Sequence, residues 1–264
     1  MAYAKTKSNF SVDYNQMFTD VLNKEGVISD CFKMFHNYSI RNQFLAYHQM
    51  KMRGMDIQPI SSFTGWNKLD RYVNKGEKAL YLWQPFTITQ KETDSEGKEV
   101  ETKKVIFKFK PSWFALSQTN GKELANAETI KTNNFDFNKV YKEFGIKIIP
   151  YDKINGNVQG FARVGSKELA INPVAQDIEM TILHEVAHIV LEHDKSDLST
   201  DLKELEAETV AYIVGSVIGV SEKQLSNSRG YVQGWFKGNT IPEKNGNRIM
   251  NTANKILKVG LGDK

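Results

Sequence analysis

The chain has 264 residues, of which 40% are hydrophobic, and this suits either one large domain or two ordinary ones with packed cores, while its net charge of +4 selects no partner by itself. No window of about 20 apolar residues occurs and the first residues carry no apolar signal core, so the sequence predicts no membrane partner. The single cysteine, Cys31, excludes an internal disulfide and fits a reducing compartment, so we expect a cytoplasmic protein.

The first half of the chain begins with short helical patterns. Apolar residues recur at helical spacing between residues 11 and 23, and Gly26 ends this pattern. Ser39 can cap a later helical segment that Gly54 ends. The aromatic residues and methionines of these segments are expected to form a core.

Basic and aromatic residues alternate between residues 63 and 84. From Lys33 to Gln84 there are eight Lys or Arg against three Asp or Glu, and this local excess is a stronger signal than the alternation, which an ordinary surface also shows. Lys and Arg follow the phosphates of single-stranded nucleic acid, while aromatic rings stack on unpaired bases without reading sequence. We therefore predict nucleic-acid contacts from Arg41, Trp66, Lys68, Arg71, Lys75 and Lys78.

Strand patterns and a charged segment follow. The β-rich runs are residues 79–83, 86–90, 105–110 and 112–117. The charged segment 91–104 predicts a solvated, mobile hairpin tip. A polar stretch from residue 118 to 134 predicts a domain boundary, which we place between residues 126 and 127. The expected domains are therefore residues 1–126 and 127–264.

The second domain is expected to contain a small hairpin beside a long helix. After a helical pattern at 136–144 and a strand at 146–151, two β runs at 160–164 and 167–172 meet at the turn signal Gly165-Ser166. An edge strand of such a hairpin can hold an extended peptide by main-chain hydrogen bonds.

The sequence His184-Glu185-Val186-Ala187-His188 lies in a helical pattern predicted over about residues 175–192. Residues at i and i+4 share a helix face, so His184 and His188 can bind one metal ion, while Glu185 is turned toward a water on that ion. A catalytic zinc needs a third protein ligand and an open position for water, and a carboxylate then moves the proton to the leaving amine. The alternative is a helix with two solvent-facing histidines.

The third ligand is expected on the next helix, between Asp201 and Tyr212. Glu206 can face the metal helix, and Glu208 is turned about 200° away from it. A buried acid is costly unless a cation meets it, so we choose Glu206 as the ligand and keep Glu208 as the runner-up. The alternative leaves the glutamates of this helix in solvent.

Two further side chains are candidates for the same region. His193 follows the metal helix but points off the face that carries the two motif histidines, so we do not expect it to bind the same ion. Tyr231 is a candidate hydrogen-bond donor to a tetrahedral oxyanion, with packing at the rim as the alternative.

Two blocks of sequence resemble the ArdC-type antirestriction proteins of conjugative plasmids and mobile elements. One block, similar to the family's N-terminal single-stranded-DNA-binding domain, comprises Tyr38-Ser39, Asn42-Gln43, Gly65-Trp66-Asn67-Lys68-Leu69, Arg71, Lys75-Gly76-Glu77-Lys78 and the strand from Phe109 to Gln118. The other, which resembles the family's zincin-like metallopeptidase domain of the SprT and ImmA plan, comprises His184 to His188 and Glu204 to Ala211.

The resemblance implies an α+β fold in which an α+β single-stranded-DNA-binding domain precedes a zincin-like metallopeptidase domain. The latter would pack a small antiparallel sheet on the His-Glu-x-x-His helix and a glutamate-bearing helix. The resemblance also implies Zn²⁺ held by His184, His188 and Glu206, because the glutamate before an alanine in a Glu-Ala-x-x-x-Ala stretch is the ligand in these relatives. The insert 91–104 has no counterpart in the family pattern.

Three functions follow from these observations. The first is an antirestriction-type protein that binds single-stranded DNA and uses a zinc-dependent peptidase site, with Glu185 as general base and acid, on a protein or peptide substrate. The second is a non-catalytic, DNA-protecting protein with a structural or vestigial metal site, although structural zinc sites usually have four protein ligands. The third is a hydrolase of non-peptide amide bonds.

Overall fold

The structure is a computed structural model that describes residues 11–93, 99–124, 132, 134–152 and 158–262. The chain divides into two compact units: residues 31–130 form one, and residues 1–30 with 131–264 form the other. The boundary predicted between residues 126 and 127 lies outside the described residues. Both units contain helices and strands, which confirms the predicted α+β class.

Among the described residues, three helices begin the chain and four helices end it, and the strands lie between these two groups. The helices are α1 (Tyr14–Leu22), α2 (Val27–Phe35), α3 (Ile40–Met52), α4 (Phe63–Asn67), α5 (Phe137–Phe144), α6 (Ile178–Val190), α7 (Thr200–Ile218), α8 (Glu222–Phe236) and α9 (Glu243–Leu261). The strands are β1 (Ile60–Ser62), β2 (Arg71–Val73), β3 (Leu80–Thr93), β4 (Glu99–Ala115), β5 (Thr119–Gly121), β6 (Lys147–Ile148), β7 (Gly160–Arg163) and β8 (Glu168–Ile171). None of the described helices is both long and apolar enough to span a bilayer.

The unit of residues 31–130 is built on a long antiparallel hairpin. Strands β3 and β4 pair from Leu80 opposite Trp113 to Thr93 opposite Glu99, and β1 adds to the far side of β4. The strands therefore continue into the segment 91–104 that was predicted to be a mobile tip, and residues 94–98 of that segment lie outside the described part. A second, two-stranded sheet joins β2 to β5.

Helix α3 covers the outer edge of β3 with two side-chain amides. The Asn42 amide donates to the carbonyl oxygen of Trp83 and accepts from its N–H, both at 2.9 Å. Two turns later, Gln49 makes the same pair of bonds with Tyr81, again at 2.9 Å. These bonds satisfy backbone groups that an edge strand otherwise leaves unpaired, and they fix the register of α3 on the sheet.

The other unit places a three-stranded sheet beside the helix that carries the metal motif. The strand order is β6-β8-β7, with β7 antiparallel and β6 parallel to β8, so the sheet is mixed and not purely antiparallel as expected. The β7–β8 hairpin turns at residues 164–167, where the sequence predicted it. Helix α6 packs on both strands of this hairpin and on α7, and α7 also contacts α8 and α9.

Candidate functional site

Helix α6 brings the two motif histidines together on one face. Leu183, Val186 and Ala187 are buried against the core, and the opposite side of the helix presents the imidazoles of His184 and His188. Their Nε2 atoms lie 3.0 Å apart. The spacing of four residues therefore has the structural effect that the sequence predicted.

The carboxylate beside this pair belongs to Glu204 of α7. Its Oε2 lies 3.2 Å from Nε2 of His184, and its Oε1 lies 3.5 Å from Nε2 of His188. Within the described ranges, these three side chains form the group whose candidate ligand atoms all lie within 4.8 Å of one another. The structure thus places Glu204, and not Glu206, next to the two imidazoles.

Glu208, the runner-up, contacts the same histidine from behind. It follows Glu204 by four residues and shares its helix face, so its Oε2 lies 2.6 Å from Nδ1 of His184. Burial raises the pKa of Glu208, but hydrogen bonds from His184 and Ser228 outweigh this and hold it below the usual value. Glu208 is therefore an ionised carboxylate that orients His184.

Glu206 points to a different side of α7 and is fully buried. Its Oε2 lies 2.9 Å from Nε2 of His193, and its Oε1 accepts a hydrogen bond from the amide of Asn245 at 2.8 Å. The guanidinium of Arg248 lies 3.6 Å from the same carboxylate. Glu206 is therefore satisfied by three side chains that are not part of the His184–His188–Glu204 cluster.

His193 reaches the back of His188 because the chain reverses directly after α6. Glu192 adopts a left-handed backbone conformation with φ of 52°, which turns the next residue under the helix. Nδ1 of the buried His193 then lies 2.7 Å from Nδ1 of His188.

These partners determine which ring nitrogens carry protons. A carboxylate oxygen accepts hydrogen bonds, so we assign Nδ1 of His184 as the donor to Glu208 and Nε2 of His193 as the donor to Glu206. Neutral His193 then accepts at Nδ1 the proton that His188 carries on its own Nδ1. As a result, the Nε2 atoms of His184 and His188 both face the Glu204 carboxylate.

Side chains that converge in this way form a site for a cation. Two imidazole nitrogens and one carboxylate oxygen are the ligands of known catalytic zinc sites, so these side chains fit a divalent metal ion. The electrostatics agree with this reading. Burial lowers the pKa of His184, but the carboxylates of Glu204 and Glu208 raise it to about 10, so the cluster holds a proton when no metal ion is there to replace it.

Glu185 lies beside the cluster and faces a cleft. Burial raises the pKa of its carboxyl above the usual value, and the backbone N–H of Ala162 in β7 donates to it. The cleft has a volume of about 440 Å³, and its lining includes Gly160, Thr181, His184 and Glu185. A side chain at Gly160 would come within 2.7 Å of the Thr181 methyl group, so only glycine lets β7 lie this close to α6.

Helix α8 contributes to the opposite wall of the site. Ser228 hydrogen-bonds Glu208, and Tyr231 follows three residues later. Burial, and then the negative charges of Glu204 and Glu208, raise the pKa of Tyr231. The Tyr231 hydroxyl therefore remains protonated near these carboxylates, although 46% of the residue is exposed.

The six residues predicted to bind nucleic acid fall into two groups. Trp66 is buried and donates its indole N–H to the carbonyl of Phe114 at 2.9 Å, so its ring faces are closed to a base. Arg71 donates to the hydroxyl and the carbonyl of Thr119, each at 2.9 Å, and thereby joins β2 to β5. These two side chains support the fold. Lys68, Lys75 and Lys78 are exposed, and Arg41 lies over the ring of Trp83 at 4.0 Å.

The sequence reading missed aromatic and basic side chains on the two faces of the long hairpin. The Phe109 ring lies 5.5 Å from that of Tyr81 and 5.4 Å from that of Trp83. Phe107, two residues before Phe109, is 63% exposed. On the other face, the ammonium of Lys110 lies 4.2 Å from the ring of Phe86. We call the first face the hairpin surface, which consists of Tyr81, Trp83, Phe107 and Phe109, while Phe86, Lys108 and Lys110 lie on the opposite face.

Comparisons with known proteins agree with this architecture. Residues 19–113 match the model of the N-terminal domain of anti-restriction factor ArdC. The metal-free crystal structure of the antirestriction ArdC protein from the R388 plasmid superimposes with a TM-score of 0.52 at 14% identity, over 96% of this chain and 97% of that one. Its Mn(II)-bound structure gives a TM-score of 0.53 at 16% identity, over 96% and 98%. No curated protein matches the chain.

The chain is therefore a two-unit α+β protein that is similar in fold to the R388 ArdC protein. Its residues 19–113 match the ArdC N-terminal domain, and nearly its whole length shares the fold of the R388 ArdC protein.

Proposed function

We propose that this chain is an ArdC-type antirestriction protein, a zinc-dependent peptidase that holds single-stranded DNA and cleaves protein bound to or near that DNA. The observation that carries the proposal is the convergence of His184, His188 and Glu204 beside Glu185 in a cleft. The Mn(II)-bound form of the R388 protein supports a divalent ion in this fold. Zinc is the ion that two imidazoles and one carboxylate suit best.

The side chains around the cleft supply the steps of amide hydrolysis. His184, His188 and Glu204 would hold the zinc ion, which would supply Lewis acidity to a water molecule and to the scissile carbonyl. The Glu185 carboxylate takes a proton from the attacking water and gives it to the leaving amine nitrogen, and the raised pKa of this group suits both transfers. The Tyr231 hydroxyl donates a hydrogen bond to the oxyanion that forms from the carbonyl.

The outer strand β7 is proposed to hold the substrate. It lies at the edge of its sheet, and Gly160 at its start lines the cleft. An extended peptide can add to such an edge by main-chain hydrogen bonds, which select an unfolded segment more than a particular sequence. The substrate class is therefore an extended protein segment.

The proposed DNA surface now combines exposed lysines with the hairpin surface. Lys68, Lys75 and Lys78 keep the role that the sequence gave them, and Arg41 acts through the Trp83 ring that it covers. Trp66 and Arg71 are replaced in this role by exposed aromatic residues such as Phe107, because their own side chains are committed to the fold. Stacking on rings and pairing with cations suit single strands of any sequence.

The test of the peptidase is the variant Glu185→Gln, which keeps the size and the metal ligands but removes the base. We expect cleavage of a quenched fluorescent peptide library, or of a denatured protein on single-stranded DNA, to fall at least about 100-fold. Metal content and oligonucleotide affinity should stay unchanged. Cleavage at the wild-type rate by the variant, purified beside a His184→Ala control, would contradict the assignment.

A non-catalytic, DNA-protecting protein is the second candidate. It is favoured by the distribution of the proposed residues over the two units. Every residue proposed for DNA binding lies between residues 31 and 130, whereas the metal cluster lies on α6 and α7 of the other unit. Protection of a single-stranded oligonucleotide from a nuclease, measured together with peptide cleavage, distinguishes this candidate function from the peptidase. Equal protection by wild type and Glu185→Gln, with no peptide cleaved by either, supports this second function. The buried Cys31, the lone cysteine of the sequence, supports action of either kind in a reducing cytoplasm.

A further inference from the structure

We propose that His193 and Glu206 form a buried relay that presets His188 for metal binding. The relay consists of His193, Glu206, Asn245 and Arg248. It deepens the proposed function and rests on the metal site of that proposal. Its members are positioning residues, because they act through His188 and not on a substrate.

The contacts make a continuous chain from Nδ1 of His188, on the side of the ring away from the metal cluster, to helix α9. Nδ1 of His188 lies 2.7 Å from Nδ1 of His193, and Nε2 of His193 lies 2.9 Å from Oε2 of Glu206. The second carboxylate oxygen of Glu206 accepts from the Asn245 amide at 2.8 Å. His193 is 3% exposed and Glu206 is fully buried, so water does not compete for these bonds.

Glu206 has a specific chemical task in this chain. Neutral imidazole carries its proton on either nitrogen, and the carboxylate selects the form of His193 with the proton on Nε2. Nδ1 of His193 must then accept, which in turn keeps the proton of His188 on Nδ1. The Nε2 lone pair of His188 is therefore directed at the cluster before any ion arrives, and Glu206 sets the tautomers of two rings with one charge.

The buried charge of Glu206 is balanced locally. An isolated buried carboxylate is strongly destabilising, but here it meets two hydrogen-bond donors and the guanidinium of Arg248 at 3.6 Å. Arg248 also donates to the carbonyl of Leu191 at 2.6 Å, which ties the end of α6 to α9. The same arginine therefore fixes the acid of the relay and the helix that carries His188.

The relay is the counterpart of the contact behind the other ligand. His184 receives a carboxylate directly, from Glu208 at 2.6 Å, whereas His188 receives one through an intervening imidazole. Outer partners of metal-bound histidines typically contribute 10- to 100-fold to metal affinity. None of the four relay residues lines the Glu185 cleft, so the relay should change metal affinity without changing substrate contacts.

The first experiment titrates the metal-free full-length chain with Co²⁺ and follows its visible absorption against a chelator of known affinity. We expect the affinity to fall by roughly 10- to 100-fold in Glu206→Leu and in His193→Phe, with one equivalent bound throughout. Glu206→Gln, which keeps an acceptor oxygen for His193, should stay within about 3-fold of wild type. The matched control is Glu179→Gln, an exposed acid on α6, which should bind as wild type does.

The possible results of this titration distinguish failure of the relay hypothesis from failure of the metal-site hypothesis. Unchanged affinity in both disruptive variants, with normal binding by wild type, contradicts the relay alone. Absence of Co²⁺ binding by wild type contradicts the metal site and the relay with it. Two equivalents in wild type, with one lost in His193→Phe, would mean that a second ion and not a proton joins these side chains, and would also overturn the relay.

A second measurement uses the wild-type protein, so it does not depend on whether the variants fold. Histidine ¹⁵N chemical shifts of the Zn²⁺-loaded wild type report which ring nitrogen carries each proton. We expect His193 with its proton on Nε2 and His188 with its proton on Nδ1. A proton on Nδ1 of His193 would overturn the relay even if the affinities had changed as expected.

Discussion

Oε2 of Glu208 lies 2.6 Å from Nδ1 of His184, and this contact joins α7 to α6 directly behind the metal cluster. It fixes the His184 ring so that Nε2 faces Glu204, and it accounts for the depressed pKa of Glu208 despite burial. Two acids four residues apart on α7 thus serve one histidine, Glu204 in front of it and Glu208 behind.

Removal of the Glu208 carboxylate should weaken metal binding without abolishing it. We expect Glu208→Leu to weaken metal binding by roughly 10- to 100-fold, because the His184 ring loses the acceptor that orients it. Glu208→Gln keeps an acceptor and should lose far less. Chelator competition measures both, and equal affinities of the two variants would contradict an orienting role.

Replacement of each glutamate of α7 should identify the direct ligand. Glu204→Ala removes a ligand, and we expect it to lower metal affinity more than Glu206→Leu or Glu208→Leu does, beyond about 100-fold. Isothermal titration with Zn²⁺ gives the ranking. A larger loss in the Glu206 variant than in Glu204→Ala would restore Glu206 as the ligand.

Metal binding should stabilise the unit that contains α6 and α7. A ligand at 100 times its dissociation constant adds about 2.7 kcal/mol to the free energy of unfolding. For a unit of this size we expect a rise in melting temperature of about 5–10 °C, which EDTA should abolish. His184→Ala is the control and should show no rise. An identical rise in that variant would place the stabilising ion elsewhere.

The chain reversal at Glu192 requires a left-handed backbone conformation, so the stability of the protein should depend on how well the residue at this position tolerates it. Its φ of 52° is unfavourable for a β-branched residue, so Glu192→Val should lower the free energy of unfolding by about 1–2 kcal/mol. Glycine accepts this conformation, so the free energy of unfolding of Glu192→Gly should exceed that of Glu192→Val by at least that amount. Urea unfolding of the metal-free protein measures the difference. Equal stability of the two variants would show that the turn is not strained.

The hairpin surface and Trp66 should respond differently to substitution. Phe107→Ala should weaken binding of a single-stranded oligonucleotide by about 5- to 100-fold, since a stacked base contributes about 1–3 kcal/mol, and should leave stability unchanged. Trp66→Phe should instead destabilise the fold, because the carbonyl of Phe114 loses its donor. Tyr72→Ala, an exposed aromatic residue outside the hairpin surface, is the control. Fluorescence anisotropy gives the affinities, and equal losses from Phe107 and Tyr72 would contradict the surface.

The sequence predicted those elements in which the residue pattern is compatible with only one local structure. The i, i+4 histidines required one face of a helix, and α6 provides it. The turn signal Gly165-Ser166 between two β runs required a hairpin, and β7 and β8 form it.

The choice among the acids of α7 could not be made from the sequence. A helical wheel separates an inner from an outer face, but α7 is buried against α6, α8 and α9 together. Glu206 is fully buried on one side of α7, while Glu204 and Glu208 lie partly exposed on another side, against His184. The expectation that only one acid points inward assumed a helix with a single covered side.

The role of His193 depended on a backbone conformation without a sequence signal. A left-handed residue after a helix is usually glycine, and here it is Glu192. Trp66 shows a related limit, because alternation of aromatic and basic residues does not tell a buried ring from an exposed one.

Anomalous diffraction from crystals of the Zn²⁺-loaded chain, recorded at the zinc edge, tests the central claim most directly. The account predicts one strong peak about 2.0–2.2 Å from Nε2 of His184, Nε2 of His188 and a carboxylate oxygen of Glu204. A peak bonded to Glu206 or His193, or one that leaves out either motif histidine, would contradict it.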